Sequence, residues 1–127
     1  LREGLEEGGV PVTMRSLETN HISDVMADVL THRAILLGSP TLNSSILPTM
    51  GAFLAYLKGL RPQNRIGMAF GSYGWGGQSI GELEKAIEEY GWKKPVEGVK
   101  LKYVPDPEDL VNVREAGKTL AASILKD

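Results

Sequence analysis

Two short runs, "AILLG" at 34–38 and "IGMAFG" at 66–71, are apolar throughout, with no alternation. A strand with one wet face alternates polar and apolar residues, because successive side chains point to opposite faces. A strand without that alternation must be covered on both faces, as the central strands of parallel sheets are. These two runs therefore demand helices above and below them.

The rest of the chain supplies the cover. Ile22, Val25, Met26, Val29 and Leu30 recur at helical spacing, with Asn20 as the expected N-cap. Leu47, Met50, Phe53, Leu54 and Leu57 repeat the pattern, as do Ile80, Leu83 and Ile87, and then Leu110, Val113, Leu120 and Ile124. Four strand candidates lie between or before these helices: "VPVTMRSL" at 10–17, "RAILLGS" at 33–39, "RIGMAFGS" at 65–72 and "VKLKYV" at 99–104. Strand and helix alternate, which predicts an open parallel α/β sheet. Val10, Val12 and Met14 alternate with Pro11, Thr13 and Arg15, and Val99, Leu101 and Tyr103 alternate with Lys100 and Lys102. Those two segments are expected at the sheet's edges.

The amino-terminal residues "LREGLEEGG" place Leu1 and Leu5 on one helical face and end on Gly8-Gly9, a helix stop. No capping residue precedes them. A helix leading into a strand at 10–17 is ordinarily the crossover of a βαβ unit, so an upstream strand and its loop are expected and residues 1–127 read as an amino-terminally incomplete domain.

Composition excludes several classes. The 127 residues fit one domain, with 42% hydrophobic and 24% charged residues. The 14 basic and 16 acidic residues are spread along the chain without a basic stripe, which argues against a nucleic-acid partner. No apolar stretch approaches the roughly 20 residues that span a bilayer, and the first residues lack the pattern of a signal peptide, so the chain reads as cytoplasmic. Cysteine is absent, and thiolate metal sites and disulfides with it. His21 and His32 are read as helix-end residues, and "PDPED" at 105–109 as a turn opening an acidic helix start.

In open α/β sheets ligands bind beyond the carboxyl ends of the strands. The two central strands end in "GSPTLNSSILP", 38–48, and "GSYGWGG", 71–77, and neither loop contains a charge. Glycines admit close backbone approach, Tyr73 and Trp75 offer flat apolar faces, and Ser39, Thr41, Asn43 and Ser72 offer hydroxyl and amide hydrogen bonds. Such a set suits a flat, neutral, heteroaromatic ligand.

The ordered motifs "GSPTLN", "LKGLRP" and "FGSYGWGG" resemble the carboxyl-terminal flavodoxin-like domain of the flavodiiron proteins, or A-type flavoproteins, and the likeness covers nearly the whole chain. It implies a three-layer α/β/α sandwich with strand order 2-1-3-4-5, of which strand 1 and the phosphate loop are missing from these residues. It implies flavin mononucleotide (FMN) as cofactor. Ser39, Pro40, Thr41, Leu42 and Asn43 would form one loop around the flavin ring, and Ser72, Tyr73, Gly74, Trp75, Gly76 and Gly77 the other. The implied partners are a metallo-β-lactamase-like di-iron domain, in the same chain or a partner chain, and an electron donor such as rubredoxin or a reduced deazaflavin. The resemblance also implies a homo-oligomer, as a dimer.

The implied role is electron transfer within an oxygen or nitric oxide reductase whose di-iron site lies elsewhere. No Ser, His and acid are spaced as a triad, so hydrolytic catalysis has little support. Phosphoacceptor receiver domains would need an aspartate where Gly38-Ser39-Pro40 stands. An FMN-dependent quinone reductase of the flavodoxin-like group, or a fragment that binds no cofactor, remains as an alternative.

Overall fold

The structure, a computed structural model, describes residues 1–39, 48–60, 62–73, 78–102 and 106–126, and of Tyr73 and Lys102 the backbone alone. In chain order the elements are α1 (Arg2–Glu7), α2 (Ile22–Thr31), β1 (Ala34–Gly38), α3 (Pro48–Leu60), β2 (Ile66–Tyr73), α4 (Gln78–Glu89), β3 (Val99–Lys102) and α5 (Pro107–Lys126). The strands form one parallel sheet in the order β1-β2-β3, with Ala34 opposite Ile66, Gly38 opposite Phe70, and Phe70 opposite Val99. These are the last three strands of the order that the sequence led us to expect.

Pleating divides the core in two. Ile35 and Leu37 of β1 and Ala69 of β2 face α2, α3 and α4, where Val25, Met26, Val29, Met50, Phe53, Leu57, Ile80, Leu83 and Ile87 pack. Ala34, Leu36, Ile66, Met68 and Val99 face the other way, against Leu5 of α1 and Leu120 and Ala121 of α5. Both faces of β1 and β2 are thus covered, as their unbroken apolar runs require.

Local chemistry fixes the helix ends. Helix α1 is capped at Gly8, and the chain turns away at Gly9, whose φ of 92° is a conformation that favours glycine. Asp106 and Asp109 cap α5 reciprocally: the Asp109 amide donates to Asp106 Oδ1 (2.7 Å) and the Asp106 amide to Asp109 Oδ2 (3.1 Å), just ahead of and within the first turn opened by Pro107. The expected cap of α2 differs. His21 holds that place, its Nδ1 accepting from the Ser23 amide (3.1 Å), while Asn20 turns back to accept from the Ser16 amide (2.8 Å). Asn20 is engaged in the turn at 16–20, and so unavailable to the helix.

The larger correction concerns residues 10–17, which form no strand. Val10 and Val12 pack on the second core, but a strand exists only through ladder bonds to a neighbour, and among the described residues β1 is bonded on its β2 side alone. Polar contacts hold the segment instead. Arg15 Nε donates to Asp28 Oδ2 at 2.6 Å, and Thr13 Oγ1 lies 3.4 Å from His32 Nε2. At the opposite edge, among the described residues, β3 pairs only with β2, as expected; residues 103–104 of the expected strand lie outside the described residues. Among the described residues no helix is long and apolar enough to cross a membrane.

Candidate cofactor-binding site

The carboxyl ends of β1 and β2 meet at Ser39. Its amide donates to the Phe70 carbonyl (3.1 Å), which extends the ladder one residue past β1. Its carbonyl accepts from Ser79 Oγ in the first turn of α4 (3.0 Å), and both serines are buried. Gly71 is required here, because a Cβ at that position would run into the Ser39 carbonyl. One buried bond therefore ties the start of the loop after β1 to the helix that follows the loop after β2.

Ser79 was not singled out by the sequence reading, although a signal existed. It lies four residues before Leu83 and seven before Ala86, on the buried stripe of α4, and a polar residue on an apolar stripe needs a partner. The partner is the Ser39 backbone.

Ser39 and Ser72 are brought to the same end of the sheet but differ in access. Ser39 is 3% exposed and lies beneath the strand ends, whereas Ser72 is exposed at the end of β2. The backbone of Tyr73 continues β2. Pro40, Thr41, Leu42, Asn43, Gly74, Trp75, Gly76 and Gly77 lie outside the described residues. The helices α3 and α4 each begin just after one of these loops, and neither has an acidic residue in its first turn. Their amino-terminal dipoles add partial positive charge to a rim that carries no formal charge of its own at Gly38, Ser39, Gly71 or Ser72.

The two histidines are at the ends of α2. His21 is the N-cap, and His32 Nδ1 sits 2.7 Å from the Asp28 carbonyl at the helix's other end. Among the described residues no three His, Asp or Glu side chains converge on a point that could hold a metal.

The family model for flavodoxin matches residues 1–117. The chain belongs to the flavodoxin family. This flavodoxin domain is 41% identical over 125 residues to the nitric oxide reductase of Moorella thermoacetica, a match that covers 98% of the domain and 31% of that protein. Its fold superposes on the rubredoxin oxygen:oxidoreductase of Desulfovibrio gigas with a TM-score of 0.94 at 36% identity, over 98% of the domain and 31% of that chain. A flavodoxin from the domain Archaea gives a TM-score of 0.83 at 27% identity, over 95% of the domain and 82% of that chain. The flavodoxin domain thus spans about a third of the flavodiiron relatives, and the likeness to them is a likeness of their flavodoxin-like module.

The residues present fit the ring of a flavin. A charge-free rim with an exposed hydroxyl, two helix amino termini and a rigid floor made by Ser39 and Ser79 offers donors to a neutral heteroaromatic edge without fixing a charge beside it.

Proposed function

We propose that this flavodoxin domain binds FMN and passes electrons as the flavin module of a flavodiiron-type oxygen or nitric oxide reductase. The observation that carries the reading is the charge-free rim at the ends of β1 and β2, held by the Ser79–Ser39 bond, in a chain 41% identical to a nitric oxide reductase over 98% of its length. Bound FMN would supply one- and two-electron redox chemistry. The chain's own residues would bind and orient the ring: Thr41, Asn43 and Ser72 through hydroxyl and amide hydrogen bonds, Tyr73 and Trp75 through flat apolar faces, and Pro40, Leu42, Gly74, Gly76 and Gly77 as the rest of the two loops. The buried Ser39 would position the first loop.

A di-iron domain elsewhere in the protein would receive the electrons, and rubredoxin or a reduced deazaflavin would donate them. The test is titration with FMN followed by the flavin's visible absorbance, on the full-length protein stripped of flavin. We expect one FMN per domain, and replacing Trp75 or Asn43 with alanine should weaken binding or shift the potential more than His21→Ala does. Absence of a saturable spectral change, or equal and negligible effects of all three substitutions, would overturn the reading.

A further inference from the structure

Beyond Ser39 the chain enters the loop that follows β1, and the peptide at that entry carries a single polar group. Residue 40 is proline and has no N–H, so the Ser39 carbonyl is all that this peptide can bond with. The direction of the carbonyl fixes the direction in which the loop leaves the sheet. It points beneath the strand ends, to Ser79 Oγ at 3.0 Å, and Ser79 is 0% exposed. A Cβ at Gly71 would overlap the same carbonyl and stand 2.9 Å from Ile80 Cδ1, so β1, β2 and α4 converge on this one oxygen.

A serine in the first turn of a helix ordinarily turns its hydroxyl to a backbone group of its own segment or to water. Ser79 instead reaches 40 residues back along the chain. It is the second residue of α4, which begins where the loop after β2 ends, while the Ser39 amide donates to the Phe70 carbonyl of β2 at 3.1 Å. Both stems of the second loop are therefore bonded to the residue from which the first loop departs. The bond is out of reach of solvent, so water does not take the place of a lost hydroxyl there.

We propose that Ser79 is a positioning residue: through the Ser39 carbonyl it holds the loops after β1 and β2 as one unit, so that a ring lying between them meets both at a preset separation. For the ring this rests on the flavin reading above; the coupling of the loops does not. A hydroxyl that only satisfied a buried carbonyl would add stability and nothing more. A positioning hydroxyl makes events on one loop depend on the other.

The coupling is read first without flavin, by amide hydrogen exchange on the full-length protein. Ser79→Ala should speed exchange of the Ser39 amide by at least about tenfold and leave Leu37 and Ile87 within about threefold of the parent. It is read next by FMN titration. In the parent, Asn43→Ala on one loop and Trp75→Ala on the other should be coupled: the double variant should weaken FMN binding at least about fivefold less than the product of the two single effects, and on the Ser79→Ala background that product should be recovered to within about twofold. An unchanged Ser39 amide, or equal coupling with and without the hydroxyl, would overturn the proposal. If the parent takes up no FMN, the flavin reading falls and the coupling of the loops stands or falls on exchange alone. If Ser79→Ala loses the fold, the parent decides. At low urea its Ser39 amide and the Glu82 and Leu83 amides at the start of α4 should open with one common energy and one urea dependence, and separate openings would overturn the proposal.

Discussion

On its β2 side, β1 shares a five-residue ladder and faces a core in which Leu57, Leu83 and Ile87 have no exposure at all. On its other side the same strand borders a cleft, and the neighbouring segment contributes Val10 and Val12 as partly buried side chains and Met14 as a residue 66% exposed. Both neighbours of β1 carry apolar residues at strand spacing, but among the described residues only β2 is bonded to it. Alternating apolar residues make a segment capable of a strand, and only a neighbour with free ladder groups makes it one.

The largest expected effect sharpens that contrast. Leu83→Ala removes a fully enclosed side chain from the closed side and should lower stability by about 2–5 kcal/mol, whereas Val12→Ala on the cleft side should cost no more than about 1 kcal/mol. Urea midpoints of the two variants decide it. Equal losses would mean that residues 10–17 are packed as tightly as the core, and the cleft would lose its meaning.

Much of this was legible in sequence because periodicity reports burial. Val25, Met26, Val29, Met50, Phe53, Leu57, Ile80, Leu83, Ile87 and Leu120 were expected to face inward and do. Leu110, from the same reading, is 55% exposed. The 20-residue α5 is about 30 Å long and outreaches the four-residue β3, so its first turns project past the sheet. Leu30 is exposed because it sits about 100° around the helix from Val29. Trp92 went unnoticed, lying in no periodic run; it is buried, with Nε1 donating to the Pro62 carbonyl at 2.8 Å. The expected strand at 10–17 failed since pattern alone cannot reveal whether a partner is present. At the candidate site, the strand ends that carry Ser39 and Ser72 were legible in sequence and are brought together, while the Ser79–Ser39 bond depends on which face of α4 meets the sheet.

A smaller effect belongs to the closed side's polar seam. Tyr90 packs against Trp92 with ring centroids 5.2 Å apart and donates to the Leu54 carbonyl at 2.8 Å, joining the end of α4 to α3. Burial, with the charge of Glu89 nearby, pushes its phenol up to about 12 from the ordinary 10. The unfolded chain releases that proton near pH 10 and the folded chain holds it until about pH 12. This group's contribution is therefore complete below pH 10 and is lost as pH rises through that window. Tyr90→Phe should cost about 1 kcal/mol at neutral pH and remove part of the decline between pH 10 and 12, read as the difference between variant and parent urea midpoints. An identical decline in both proteins would place the phenol in water.

The smallest effect is expected on the cleft side, where surface contacts do what ladder bonds do elsewhere. Arg15 reaches Asp28 at 2.6 Å, but the two side chains are 39% and 27% exposed. Exposed pairs gain little from Coulomb attraction, because water and salt screen it and two long side chains must be ordered to make it. Arg15→Ala should leave the global urea midpoint unchanged within error. Its consequence should be local: residues 10–17, deprived of a tether and without ladder bonds, should be cleaved faster by a nonspecific protease at low enzyme concentration, and the difference should shrink as salt is raised. A shifted global midpoint would show that the segment is already integrated with the core, and the two sides of β1 would then differ less than the ladder pattern implies.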